Sequence, residues 1–176
     1  MKKRFGVVFR VSRAFLFALV SIFILMGPGL AGANEARLKE KTEQLFLNYK
    51  ILEALYGDLR EITGGYIYNS DEQLNYMQKM TLFVNEARMI CYYQWQLLSV
   101  MDYIKPEAKN DYYTLRRKDL LKAKTDLAFV LSLLDLYRSY IVNKAALQPV
   151  DEAAVNIKAN VYIFESLMEL LEELAK

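Results

Sequence analysis

The stretch MICYYQWQLL, residues 89–98, concentrates the side chains best suited to chemistry. It holds Cys91 and Trp95, the only cysteine and the only tryptophan of the 176-residue chain, with two tyrosines between them. A cysteine acts as a nucleophile only when its thiolate is stabilised, usually by a histidine or a neighbouring cation. The chain has no histidine, and Arg88 is the nearest cation along the sequence. We therefore interpret Cys91 as a small buried hydrophobe.

The lack of histidine excludes most of the chemistry that exported helical proteins perform. Covalent haem attachment requires a C-x-x-C-H motif, and b-type haem or di-iron centres require histidine ligands, commonly in E-x-x-H pairs. Ser-His-Asp and Cys-His catalysis also require an imidazole, and no glycine-rich phosphate loop occurs. The composition therefore predicts a protein with no cofactor, no catalytic residue and no enzymatic activity.

Thioether and thiol groups remain as ligands for a soft metal such as Cu(I). Met77, Met80, Met101 and Cys91 share one helical face, so a copper site is one interpretation of their spacing. The same spacing is typical of a buried seam, where methionine fills irregular gaps in a core. We favour core packing and predict no metal site.

The first 33 residues have the order of a secretory signal peptide. Basic residues between Lys2 and Arg13 precede an uncharged apolar run, and the small residues Ala31-Gly32-Ala33 form a cleavage motif. The apolar core spans 13 residues, whereas a transmembrane helix needs about 20. We predict cleavage after Ala33 and export to the periplasm or the extracellular space, with an uncleaved inner-membrane anchor as the alternative.

Removal of this segment changes the charge of the chain. It carries five of the 23 basic residues and none of the 21 acidic ones, so the mature chain has 18 basic residues and a formal charge of −3. The basicity of the whole sequence therefore belongs to the targeting segment, and no nucleic-acid partner is expected. One cysteine cannot form an internal disulfide, so the fold must rest on its hydrophobic core.

Four long segments carry apolar residues at alternating spacings of three and four, the period of an α-helix. Glycine and proline interrupt them at Gly64-Gly65, Pro106 and Pro149. Amphipathic helices joined by short links pack antiparallel. The predicted fold class is all-α, an antiparallel four-helix bundle in which residues 34–176 form a single domain.

The helix boundaries follow from local signals. Gly64 is expected to close the first helix in a left-handed conformation. Ser70 is expected to cap the second, and Pro106 to break the chain after it. Pro149 suits the first turn of the fourth. The predicted helices cover residues 35–62, 71–104, 111–142 and 149–175.

A basic run at the start of the third helix and an acidic run at the end of the fourth are placed to meet. Glutamates near a helix C-terminus oppose the helix dipole and need a compensating partner. We predict an interhelical ion-pair strip; a site for anionic lipid or phosphate is the alternative, and a glycosidase-like acid pair is disfavoured. The two runs are Arg116, Arg117, Lys118, Lys122 and Lys124, and Glu165, Glu169, Glu172 and Glu173.

Helices two and three also carry a second apolar stripe opposite their core seams. Tyrosine is enriched on it, and a ring with a polar tip suits a surface that alternates between water and a partner. Simple burial within wide helix contacts is the other interpretation. The candidate interface residues are Leu82, Met89, Tyr92, Tyr93, Tyr103, Phe129, Leu136 and Tyr140.

These patterns favour a non-enzymatic, exported binding module that self-associates or binds a protein partner through helices two and three. One alternative is a small-ligand-binding bundle whose aromatic-lined pocket, with Trp95, Cys91 and Gln94 as candidate residues, takes an apolar or cationic molecule. The other is a membrane-anchored accessory subunit of an envelope complex, which requires retention of the signal segment.

Overall fold

The computed structural model describes residues 30–65, 67–68 and 70–176 and contains four long helices. No strand occurs within these residues. Each helix packs mainly against two neighbours, α1 and α3 each lying between α2 and α4. The prediction of an all-α, four-helix fold is confirmed for this part of the chain. The helices are α1 (Leu30–Gly65), α2 (Asp71–Ser99), α3 (Lys109–Arg138) and α4 (Lys144–Leu174).

Contacts between sequential helices run in opposite chain order, as antiparallel packing requires. At one end of α1 the Thr63 hydroxyl lies 3.2 Å from the Thr81 hydroxyl of α2. Towards the other end the ring of Phe46 lies 4.5 Å from that of Trp95. Each helix therefore runs antiparallel to the one before it.

The core is built from the apolar seams that the helical period predicts. Met77, Met80, Val84, Ala87 and Cys91 are almost fully buried on α2. Each large apolar side chain removed from water contributes about 1.5–3 kcal/mol to folding, so these seams hold the bundle together. The same core includes Leu45, Leu52 and Leu59 of α1, Leu120, Leu127 and Leu134 of α3, and Ile157, Phe164 and Leu167 of α4.

The ends of α1 and α2 differ in part from expectation. Gly64 and Gly65 both belong to α1, and no glycine of the described chain has a positive φ, so the predicted left-handed closure at Gly64 is wrong. Glycine costs only about 1 kcal/mol in a helix, and the buried Leu59 anchors the preceding turn. The Ser70 cap is confirmed, since its hydroxyl accepts a hydrogen bond from the Gln73 amide at 3.3 Å.

The α2–α3 connection is more irregular than a simple break. The α-helix ends at Ser99, five residues before the predicted end, and two short 3-10 turns follow, Met101–Tyr103 and Pro106–Ala108. Lys105 is extended, as a residue before proline prefers. Pro106 therefore separates two tight turns rather than kinking one helix.

The start of α4 also corrects the prediction. The Asn143 side chain accepts a hydrogen bond from the Ala145 amide at 3.0 Å and caps a helix that begins at Lys144. Pro149 therefore lies inside the helix rather than in its first turn. Its missing amide removes one backbone hydrogen bond, which the capped and buried turn around Ala146 tolerates.

The predicted signal segment lies mostly outside the described residues, which begin at Leu30. The expected cleavage point after Ala33 falls in the first turn of α1. None of the described helices combines the length and the apolar character needed to span a bilayer.

Candidate functional site

The sulfur-bearing side chains of α2 belong to the bundle core. Cys91, Met77 and Met80 are almost inaccessible to solvent. Burial raises the pKa of the Cys91 thiol far above its ordinary value, so the group stays protonated and unreactive at neutral pH. Met101 is half-buried in the turn beyond α2. The burial of these sulfur-bearing side chains is typical of core packing.

Two aromatic residues of the 89–98 stretch pack against α1. The Trp95 ring lies 4.5 Å from Phe46, and the Tyr92 ring lies 5.0 Å from Tyr49. Trp95 and Tyr92 are themselves 5.8 Å apart. Such pairs contribute about 0.5–1.5 kcal/mol beyond burial. Tyr92, a candidate interface residue, therefore lies in the α1–α2 contact, where it is half-buried.

A carboxylate on α1 organises polar groups beside this cluster. Glu53 accepts hydrogen bonds from Lys50 at 2.7 Å and from the Tyr49 hydroxyl at 2.6 Å, and Arg88 of α2 lies 3.6 Å away. The hydrogen bonds from Lys50 and Tyr49 lower the pKa of Glu53. Tyr49 and Lys50 lie four and three residues before Glu53 on the same helix, whereas Arg88 comes from α2 and reaches the carboxylate only in the folded bundle.

A second aromatic cluster joins α2 to the end of α3. The Tyr76 ring stacks on Tyr140 at 4.9 Å, and Tyr137 lies 5.9 Å from both Tyr76 and Phe83. The Lys79 ammonium lies 5.0 Å from the centre of the Tyr137 ring. These contacts align α3 with α2 near the bundle end where α2 begins.

Eight large apolar side chains remain open to solvent on the α2–α3 side of the bundle, and we call this set the outer face. They are between 36% and 63% exposed. At about 100° per residue, Leu82, Tyr93 and Val100 point almost directly away from the buried Cys91. The contact between α2 and α3 is also the least extensive of the four between neighbouring helices. The outer face comprises Leu82, Tyr93, Leu97, Val100, Leu115, Phe129, Leu136 and Tyr140.

Most of the candidate interface residues lie on or next to this face. Leu82, Tyr93, Phe129, Leu136 and Tyr140 belong to it. Two others lie at its edge: Tyr103 is 86% exposed in the turn beyond α2, and Met89 is half-buried. The Arg88 guanidinium donates a hydrogen bond to the Met89 sulfur at 3.3 Å.

Exposed charge is sparse on the outer face. Between residues 73 and 99 of α2, Glu86 is the only exposed charged side chain. On α3 the exposed charges that share this face are Asp111, Lys118 and Lys122. None of these four side chains forms an ion pair within the part of the chain that the structure describes. A face with few charges and many apolar groups is costly to leave in water.

A shallow recess of about 250 Å³ lies beside Trp95, where α1 meets the end of α2. Its floor includes Leu38, Leu98 and Tyr113, and its rim carries the ion pair between Lys109 and Glu35 at 2.9 Å. Of the candidate pocket residues only Trp95 lines it. Cys91 is in the core, and Gln94 is half-buried, with a side-chain oxygen that meets no partner among the described residues.

The predicted ion-pair strip forms between α3 and α4. Arg117 pairs with Glu172 at 2.8 Å and Lys124 with Glu165 at 2.6 Å. The strip is smaller than predicted, because Arg116, Lys118, Lys122, Glu169 and Glu173 form no ion pair across the two helices within the described chain. Arg116 is only 7% exposed and pairs with Asp119 of the same helix at 2.5 Å, and its Nε and Nη1 atoms meet no hydrogen-bond partner within the described chain.

A buried amide network links α1 to α4. The Asn48 amide donates to Asn160 at 3.1 Å, and the Asn160 amide donates to Asn156 at 2.9 Å. Asn160 is fully buried. The signal that sequence offers for it is a pair of asparagines four residues apart on the apolar face of α4. That spacing puts both amides on one side of the helix.

Comparison with known protein families, curated proteins and solved structures finds no significant match for this chain. Within residues 30–65, 67–68 and 70–176, no group of three or more His, Cys, Asp or Glu side chains is arranged to hold a metal ion. The feature with the most distinctive chemistry in the described chain is therefore the outer face.

Proposed function

We propose that the protein is an exported, non-enzymatic helical-bundle module that acts by binding protein, through self-association or a protein partner, along the outer face of α2 and α3. The observation that carries this proposal is the exposure of eight large apolar side chains on one side of the bundle. Fully exposed aromatic side chains present about 150–250 Å² each. Three of the eight side chains are aromatic and five are aliphatic, for which about 60–120 Å² each applies, so at half exposure the set offers roughly 400–700 Å² of apolar surface.

That area is comparable with the largest apolar patch on a typical monomer, about 300–600 Å², and such a patch is often functional. The tyrosines and phenylalanine on the face are also residue types enriched at interfaces. A surface of this size and composition is suited to being covered by protein.

The direct test compares two exposed tyrosines on opposite sides of the bundle. Tyr93 on the outer face and Tyr162 on α4 are 55% and 58% exposed. Tyr93→Asp places a charge that must be desolvated on binding, so we expect it to abolish recovery of cross-linked complexes from the exported compartment. Tyr162→Asp is the matched control and should leave recovery unchanged. Equal recovery with both variants contradicts the proposal.

Small-ligand binding is the second candidate, and the recess beside Trp95 favours it. Trp95 is the only tryptophan, so its fluorescence reports on this site alone. Benzylamine, which combines an apolar ring with a cation, is a suitable probe for the aromatic floor and the acidic rim around Glu35. Ligand binding predicts a saturable change in Trp95 emission that Leu98→Phe, which adds bulk to the floor without a second tryptophan, abolishes. An unchanged spectrum counts against this candidate.

Export and the state of the N-terminus are tested by mass. The proposal predicts that the purified protein begins at Asn34 and fractionates with soluble exported proteins. A chain that keeps residues 1–33 and fractionates with the membrane supports the anchored accessory subunit instead. Intact-mass spectrometry of both fractions separates the two outcomes.

A further inference from the structure

We infer that the partner covering the outer face is a second copy of this chain, with α2 of each copy lying on α3 of the other around a two-fold axis parallel to the helices. The inference rests on the proposed function and names its partner. The apolar side chains supply more than half of the about 800 Å² that each side of a standard interface contributes, and the polar side chains between them supply the rest. A two-fold interface uses the same surface twice, so it needs no second patch.

The positions of the charges select this arrangement. Glu86 lies next to the midpoint of α2 and Lys122 next to the midpoint of α3. Because α2 and α3 are antiparallel neighbours, their midpoints lie at similar heights on the bundle. A two-fold axis parallel to the helices keeps each height unchanged and exchanges α2 with α3. Glu86 then meets Lys122 of the partner subunit, and the reciprocal pair forms on the other side of the axis.

The competing two-fold arrangement brings like charges together. An axis perpendicular to the helices, lying in the plane of the outer face, places α2 on α2 and α3 on α3. When that axis crosses the bundle at mid-height, Glu86 of one copy faces Glu86 of the other, and the two Lys122 side chains also face each other. Like-charge pairs in a desolvated interface are strongly unfavourable. The sign of the two mid-helix charges therefore favours α2 on α3.

The helix directions agree with the same arrangement. Rotation about an axis parallel to the helices preserves their direction, so α2 of one copy and α3 of the other are antiparallel. Two α2 and two α3 helices then form a second four-helix contact in which all neighbours are antiparallel, as in the bundle itself. Tyr93, Phe129 and Leu136 are the large side chains that this contact covers.

The first experiment is a charge exchange in the full-length chain, expressed with its own N-terminal segment and purified as it accumulates. Dissociation is measured by sedimentation over a range of concentrations. Glu86→Lys converts both interfacial pairs into repulsive contacts, and we expect the dimer dissociation constant to rise about tenfold or more. Lys122→Glu should do the same. The double exchange restores attraction and should return the constant to within about threefold of the original.

Two matched controls keep this experiment interpretable. Glu61→Lys makes the same charge change on the exposed surface of α1 and should leave dissociation unchanged. Circular dichroism and thermal unfolding establish that each variant is folded, as expected for exposed positions. A chain that sediments as a folded monomer at every concentration overturns the inference. A dimer that ignores both single exchanges, or that the double exchange fails to restore, also overturns it.

Cysteine cross-linking distinguishes the two possible axes. In the inferred arrangement a mixture of Glu86→Cys and Lys122→Cys chains forms a disulfide-linked heterodimer under mild oxidation, while neither variant alone does so. The buried Cys91 is inaccessible and leaves the background low. Efficient cross-linking of Glu86→Cys with itself identifies the α2-on-α2 arrangement and overturns the inference.

Failure of this inference and failure of the proposed function give different results. If the chain is monomeric but Tyr93→Asp still abolishes capture of a cross-linked partner, the outer face binds another protein and only the identity of the partner is wrong. If the chain is monomeric and Tyr93→Asp behaves like Tyr162→Asp, both are wrong.

Discussion

The α1–α4 side and the α2–α3 side of the bundle use helices of similar length in opposite ways. On the first side α1 and α4 pack extensively, the Asn48–Asn160–Asn156 network crosses between them, and the large apolar side chains exposed among the described residues of these two helices are Ile51, Val155 and Tyr162. On the second side the helix contact is less extensive and eight large apolar side chains face solvent.

This difference distinguishes the side chains that stabilise the fold from the side chains that are available for binding. Polar groups buried between α1 and α4 are satisfied within the chain, so that contact is complete in itself. The apolar groups outside α2 and α3 have no such partner and would gain free energy from being covered. A bundle needs only one apolar stripe on each helix, so the second stripe on α2 and α3 is surplus to folding.

The largest effect is expected from exchanging the same residue type between core and outer face. Phe164→Ala empties a fully buried position on α4 and should lower the free energy of unfolding by about 3–5 kcal/mol. Phe129→Ala removes a ring that is 63% exposed and should change it by no more than about 0.5 kcal/mol, while weakening association. Chemical denaturation at low protein concentration measures both. Similar losses of unfolding free energy in the two variants would contradict the distinction between the core and the outer face.

The buried amide network gives the next largest effect. Asn160→Ala leaves the Asn48 donor and the Asn156 acceptor without their partner, which should cost about 1–3 kcal/mol of unfolding free energy. Asn75→Ala, on the exposed surface of α2, is the control and should be near neutral. If denaturation shows the two variants to be equally stable, the network does not explain why the α1–α4 contact is complete.

Arg116 tests whether the core near the outer face carries avoidable strain. Its guanidinium is buried with two nitrogen atoms lacking partners, and its carboxylate partner Asp119 is 40% exposed. Arg116→Met fills a similar volume without a buried charge, so we expect the unfolding free energy to rise by about 1 kcal/mol. Thermal unfolding measures the change. A clear loss of stability would show that the ion pair with Asp119 and the contact with the Tyr112 ring, 5.2 Å from the guanidinium carbon, outweigh the cost of burying the charge.

Acid sensitivity supplies the smallest effect and concerns Glu53, which links the two sides through Arg88. Hydrogen bonds from Lys50 and Tyr49 lower its pKa in the folded state. A lowered carboxyl pKa stabilises the fold above the unfolded value of about 4.3, and that contribution is lost as the pH falls through the folded value. Glu53→Gln should therefore reduce the stability lost between neutral pH and strong acid. Glu61→Gln, which is exposed on α1, should leave the loss unchanged.

Helical periodicity was sufficient to predict the helix count, the core seams and much of the outer face. Met77, Cys91 and Leu127 are buried because spacings of three and four place them on one face whatever the neighbours are. The same reasoning separated Tyr93 and Phe129 from the seams. It could not place Tyr92, because a residue at the edge of a stripe is covered or open according to which helix lies beside it.

Boundaries and polar contacts were less predictable. α4 begins at Lys144, five residues before the proline that marked it in sequence, since the Asn143 cap and a buried turn outweigh one lost backbone hydrogen bond. The contacts of Glu53 with Tyr49 and Lys50 and of Arg116 with Asp119 have the spacing of neighbours on a helix and could have been read from the sequence. The approach of Arg88 to Glu53 and the burial of Arg116 depend on the packing of neighbouring helices.

The sequence by itself determined that this chain forms amphipathic helices, that it lacks imidazole chemistry, and that α2 and α3 carry more apolar surface than one core requires. These properties follow from composition and from the 3.6-residue period, which are local. Only the tertiary structure decided which apolar stripe is buried and which remains in water, because burial depends on the helices that pack on either side. The apolar stripe of α2 and α3 that remains in water forms the outer face.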